Sequence, residues 1–140
     1  MSEAFHLSRR VEFRETDAAG IVHFSCFFHY MEEAEHAMLR SLGLSVEMPH
    51  EGATLSWPRV SARCEYEVPI RFDNMVDIRV TIGRIGEKSI TYHFDMTHEG
   101  RDVAHGEMTA VCCKIVVGEE PESTAIPAAI IKLLEPYVRA

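Results

Sequence analysis

The sequence predicts an α+β domain in which an antiparallel sheet packs against one long helix. Three observations carry this reading: a helical apolar pattern over residues 25–42, a series of alternating apolar and polar segments after residue 60, and a length of 140 residues. That length buries a proper core within a single domain, so residues 1–140 are read as one unit. A helix with one wide apolar side followed by consecutive strands is most simply satisfied by laying the helix on one face of the sheet.

Taken in order, residues 6–13 alternate loosely, with Leu7, Val11 and Phe13 apolar, and are expected to form the first strand. Residues 16–20, TDAAG, break that pattern. A glycine among small residues suits a backbone that turns sharply or approaches a ligand closely. Ser25 stands where an N-cap oxygen would accept a first-turn amide. At about 100° per residue, Phe27, Met31, Ala34, Met38 and Leu42 then share an arc of roughly 80°. Phe28, Tyr30, Ala37 and Leu39 widen this stripe, and Gly43 supplies a stop.

Residues 44–58 contain two prolines, a glycine and no clear period, and are expected as a loop. Strands follow over 60–69, then through Val76, Ile78, Val80 and Ile82, then through Ile90, Tyr92, Phe94, Met96 and His98. Short turns at 86–88 (GEK) and 99–102 (EGRD) make these a meander whose last strand runs to about Val117. Residues 126–138 read as a short closing helix.

With 46% hydrophobic and 26% charged residues, the composition is that of an ordinary globular protein. A net charge of -8 argues against a nucleic-acid partner, which needs a clustered basic surface, so any anionic ligand needs a local basic spot. No run approaches the length of a membrane span, and the N-terminus lacks a signal-peptide pattern, so a cytoplasmic protein is expected. Cys26, Cys64, Cys112 and Cys113 form no CxxC pair, and the adjacent two would point to opposite faces of a strand; free thiols are expected.

Among residues that carry chemistry, Asp17 stands out, because it lies in the glycine-containing loop at the mouth of the helix. His29, Glu33 and His36 have the spacing of a metal-binding helix face. Arg40 shares that side and repels a cation, and such faces are usually solvated. Cys26 sits where a thiolate is favoured but has no paired base, so it reads as packing.

The stretch TDAAGIVHFSCFFHYMEEA, joined to EYEVPIRFDNMVDIRVTIGRIGEKS, resembles the hotdog-fold acyl-CoA thioesterases of the 4-hydroxybenzoyl-CoA thioesterase type. The resemblance covers residues 11–115, and its most specific part is D-x-x-G-x-V from Asp17 to Val22. It implies a curved antiparallel sheet wrapped around a central helix, in a homodimer or homotetramer with active sites at the subunit interface. It also implies hydrolysis of an acyl-CoA, or of an acyl-carrier-protein thioester, without metal or cofactor.

Carried over by residue, the resemblance makes Asp17 the nucleophile or general base and the backbone amide of Phe24 the donor that polarises the thioester oxygen. Gly20, His23 and Glu32 become further substrate-site candidates, and Arg84, Lys88 and Ser89 in the later hairpin become coenzyme A contacts. Relatives often carry Tyr or His where this chain has Phe24, so only the main chain can act there.

Two alternatives stand beside this reading. Hotdog hydratases place a histidine five residues after the aspartate in a D-x-N-P-x-H segment, whereas His23 lies six after Asp17 and the Asn and Pro are absent. A non-catalytic acyl-binding module would use the same cleft. Phe24, Phe27 and Trp57 lean towards an aromatic or bulky acyl group.

Overall fold

The computed structural model describes residues 2–140. Its central element is helix α1, Cys26–Ser41, within one residue of the expected span at each end. Phe27, Tyr30, Met31, Ala34, Met38 and Leu39 are buried along it, and Gly43 takes the left-handed φ of 76° that ends such a helix. Ser25 does not cap it. Its own backbone is already helical (φ −69°, ψ −23°), and its hydroxyl lies 2.8 Å from Nδ1 of His23 rather than on a first-turn amide.

The first strand, β1, spans Phe5–Arg10, shorter than expected. Glu12 and Glu15 close a capping box around a 3-10 turn at Phe13–Glu15, which takes the chain out of the strand and leaves Phe13 74% exposed. The segment expected as a loop contains a hairpin, β2 (Met48–His50) and β3 (Ala53–Ser56). Glu51 and Gly52 turn it with φ of 47° and 78°. Pro49 hid β2 from a pattern reading, yet β2 is an edge strand where a missing N–H is tolerated.

Strands β4 (Arg59–Tyr66), β5 (Met75–Ile85), β6 (Ser89–His98) and β7 (Arg101–Val111) complete a sheet in the order β1-β5-β6-β7-β4. The expected meander is its middle. The chain breaks at Cys112, whose amide donates to the Lys88 carbonyl at 2.7 Å, before β8, Cys113–Ile115. Both Cys112 and Cys113 are buried, and all four cysteines are free thiols. β8 joins β3 and the two-residue β9 (Glu122–Ser123) in a smaller sheet, and helix α2 (Ala128–Leu134) follows. No described helix is long and apolar enough to cross a membrane.

The inner face of the large sheet carries Val76, Ile78, Val80 and Ile82 on β5 and Ile90, Tyr92, Phe94 and Met96 on β6, all buried. Opposite them β7 presents Ala104, Gly106 and Ala110, small residues that let α1 approach. A Cβ built on Gly106 would lie 2.6 Å from Sδ of Met31, so a larger residue there would force the end of the Met31 side chain to shift. The outer face is polar: Arg139 and His105 meet Asp95, and Arg63 meets Glu107.

Glu35 sits within the buried stripe of α1, only 1% exposed, and both its oxygens accept from the Arg59 guanidinium on β4. Burial pushes its carboxyl above the ordinary range, and Arg59 only partly offsets this. The folded state therefore holds the Glu35 proton more tightly than the unfolded chain, and stability falls as pH rises between the two pKa values. Removing the partner strands a buried charge, which costs about 3 kcal/mol. Arg59→Met is expected to lower urea-unfolding stability by about that amount at neutral pH. The deficit should shrink as pH falls and Glu35 becomes neutral, and a deficit that grows in acid would refute this account.

Candidate active site

Asp17 lies between the 3-10 turn and α1 in a loop closed by its own backbone. Its amide donates to the Ile21 carbonyl at 2.8 Å, and its carbonyl accepts from Gly20 at 3.0 Å. Gly20 adopts φ 78°, which closes this turn at no steric cost. Oδ1 of Asp17 accepts from the Ala19 amide at 2.8 Å and the Ile21 amide at 3.4 Å, an Asx-type turn. Oδ2 makes no hydrogen bond among the described residues. One oxygen thus fixes the side chain and the other stays free.

The loop is anchored from both sides. The His23 amide donates to the Glu15 carbonyl and the Val22 amide to the Ile70 carbonyl, each at 2.8 Å. The Glu15 side chain is buried, and it accepts from Arg9, from the Glu12 amide at 2.7 Å and from the Tyr30 hydroxyl at 3.0 Å. Burial alone would raise the Glu15 carboxyl, but Arg9 and these donors hold it below its usual range. Arg9 also grips Glu33 of α1 through two bonds, 2.9 and 3.1 Å.

Asp17 opens into a cleft of about 310 Å³ with Ile21, Val22, Phe24, Phe27, Tyr66 and Ile70 among its walls. Around the start of α1 the amides of Val22, His23, Ser25, Cys26 and Phe28 all have acceptors. The Phe24 and Phe27 amides have none among the described residues. The amide that the family resemblance singled out is therefore one the local structure leaves unpaired, next to the positive end of a helix. A free carboxylate oxygen and a free amide in one apolar cleft fit attack on a carbonyl whose oxygen becomes negative.

The other predicted residues are placed differently. Gly20 shapes the Asp17 turn. His23 stacks on Phe24 with centroids 4.6 Å apart, and its Nδ1 accepts from the Ser25 amide at 3.2 Å. Glu32 lies 3.8 Å from Arg59 in a separate cleft with His36 and Trp57. Arg84, Lys88 and Ser89 sit at the far end of the β5–β6 hairpin, about 30 Å of strand from the Asp17 end at ~3.3 Å per residue. One chain does not bring them beside Asp17.

The helix face with metal-like spacing has its Glu33 oxygens taken by Arg9. Among the described residues, metal-like geometry occurs at Glu67, Asp102 and His105, where Nδ1 of His105 lies 2.7 Å from Asp95 and Nε2 lies 2.8 Å from Glu67. Burial raises the Cys26 thiol, in keeping with packing.

Sequence reasoning passed over Tyr66 and the turn through Ile70. Tyr66 packs edge-on against Phe27 at 5.1 Å, and its hydroxyl donates to the Phe24 carbonyl at 3.0 Å. The signal was an aromatic residue at the end of a strand that stops before Pro69, but its cleft partners lie some 40 residues away in the chain.

Comparison with known proteins agrees with this fold. The thioesterase-like superfamily matches residues 11–134. A protein of Aquifex aeolicus (strain VF5) is 30% identical over 131 residues, which cover 94% of this chain and 98% of the relative. A 1,4-dihydroxy-2-naphthoyl-CoA hydrolase of Synechococcus sp. (strain WH7803) is 28% identical over 136 residues, 92% of this chain and 87% of the relative. Among solved structures, a gentisyl-coenzyme A thioesterase superposes with a TM-score of 0.77 at 27% identity, covering 94% of this chain and 99% of its own. With its sheet wrapped on one helix and that match spanning nearly its whole length, the chain belongs to the thioesterase-like superfamily and has the hotdog fold.

Proposed function

We propose that the protein hydrolyses an aromatic acyl-CoA to the free acid and coenzyme A, with Asp17 as its catalytic carboxylate. The observation that carries this reading is the pairing, in one cleft, of the free Asp17 Oδ2 with the unpaired Phe24 amide. As nucleophile, Asp17 attacks the thioester carbonyl, expels the coenzyme A thiolate and leaves an acyl anhydride that water opens. As general base, it takes a proton from water, the hydroxide adds to the carbonyl, and the tetrahedral intermediate expels the coenzyme A thiolate, which the proton on Asp17 neutralises. Both routes pass through an oxyanion, and the Phe24 amide at the helix N-terminus stabilises it. Acyl transfer to water needs neither metal nor redox group.

An aromatic acyl group is supported by the aromatic walls of the cleft, Phe24, Phe27 and Tyr66, and by relatives named for dihydroxynaphthoyl-CoA and gentisyl-CoA. An acyl-carrier-protein thioester, which presents the same pantetheine arm, is the other substrate of this chemistry. A second copy of the chain is expected across β4, an edge strand that exposes Val60 (63%) and Tyr66 (45%). Such a copy would also offer its Arg84, Lys88 and Ser89 to the coenzyme A phosphates.

Three measurements test this reading. Asp17→Asn is expected to lower kcat by at least about 100-fold across aromatic, short, medium and long acyl-CoAs, with an unchanged thermal midpoint. Near-normal turnover would sink the assignment. Lys88→Ala should raise KM about tenfold and leave kcat nearly constant, the loss of one charge-assisted contact made equally in ground and transition states. Sedimentation at micromolar concentration should show a dimer or larger, and a monomer would remove the basis for an interface site. Tight acyl-CoA binding without any product would instead favour a binding module.

A further inference from the structure

Phe24 has two main-chain polar groups in opposite states. Its amide is unpaired among the described residues, whereas its carbonyl is held at 3.0 Å by the Tyr66 hydroxyl. A regular helix extended back by one turn would have spent this carbonyl on the Phe28 amide. Here that amide donates to Ser25 at 3.2 Å, and the freed carbonyl goes to a side chain from another element. Tyr66 comes from the last residue of β4, its ring lies edge-on to Phe27 of α1 at 5.1 Å, and it lines the same cleft as Asp17.

The peptide that carries the Phe24 amide is tied through its His23 carbonyl to the Cys26 amide at 2.9 Å, and the next peptide through the Ser25 amide to His23 Nδ1 at 3.2 Å. These ties are local, Phe24 is 63% exposed, and the Tyr66 hydroxyl adds the bond from another element. An oxyanion donor gains its effect from being fixed before the charge develops. A donor on a loosely held peptide must be ordered at the moment of reaction.

We propose that Tyr66 is a positioning residue for thioester hydrolysis: its hydroxyl holds the Phe24 carbonyl and thereby keeps the Phe24 amide in place for the developing oxyanion. This rests on the thioesterase reading and adds to it a residue outside the D-x-x-G-x-V segment. Tyr66 touches neither the carbonyl carbon nor water in this scheme; it acts through the main chain of Phe24.

The test is Tyr66→Phe, which removes one oxygen and keeps the ring against Phe27. Steady-state hydrolysis of an aromatic acyl-CoA by full-length wild type and variant is measured together with the thermal midpoint and the carbonyl-carbon NMR resonance of Phe24. The expected result is a fall in kcat of about tenfold, a KM changed by less than about twofold, a shifted Phe24 resonance and an essentially unchanged midpoint. That split belongs to a group felt in the transition state only. An active wild type whose variant retains full kcat overturns this inference alone. A variant that loses thermal stability and substrate affinity together with kcat reduces Tyr66 to a structural staple and also overturns it. A wild type inactive on every acyl-CoA overturns the thioesterase reading and this inference with it.

Discussion

The candidate site depends on the buried carboxylate of Glu15. Its side chain collects Arg9 of β1, the Glu12 amide and the Tyr30 hydroxyl of α1, while its backbone carbonyl receives the His23 amide. Strand, 3-10 turn and helix therefore meet at one residue, two positions before Asp17. An ionised group buried this deeply is tolerated only because every donor around it is in place. The same donors fix where the loop leaves the core and where α1 starts, so the separation of Asp17 from the helix N-terminus follows from the packing.

A second layer of polar contacts divides the labour of the loop. Oδ1 of Asp17 is spent on its own turn, and Oδ2 is left over. Most amides around the start of α1 are spent in the same way, and those of Phe24 and Phe27 are left over among the described residues. Catalytic groups of this kind need to be unsatisfied in the empty site and satisfied in the transition state, which conflicts with the rule that buried polar groups are paired. The conflict is resolved by exposure, since Phe24 lies at the cleft surface, where water can occupy the position of the thioester oxygen.

The helix serves two purposes with one set of residues. Its buried side packs Met31 onto Gly106 and closes the core, and its N-terminal end supplies the dipole and the amide. Glu35 is the exception within that side, held by Arg59 across to β4. This pair links the helix to the strand whose last residue, Tyr66, reaches back to Phe24. The helix is thus tied to β4 near its middle by an ion pair and at its start by a hydroxyl.

Local pattern was enough for α1, for the meander and for the glycine-containing loop that carries Asp17, because helix period, strand alternation and loop composition are properties of neighbouring residues. It failed at β2, where Pro49 masked an edge strand, and at Phe13, where the capping box of Glu12 and Glu15 overrode alternation. It also gave Ser25 a capping role that its helical backbone denies. Family resemblance supplied the Phe24 amide, and only the tertiary structure showed that amide to be unpaired. The contributions of Glu15, Glu35 and Tyr66 lie between segments 15 to 42 residues apart in the chain. In sequence each is an ordinary polar or aromatic residue, and what it does is decided by which strand or helix the fold sets beside it.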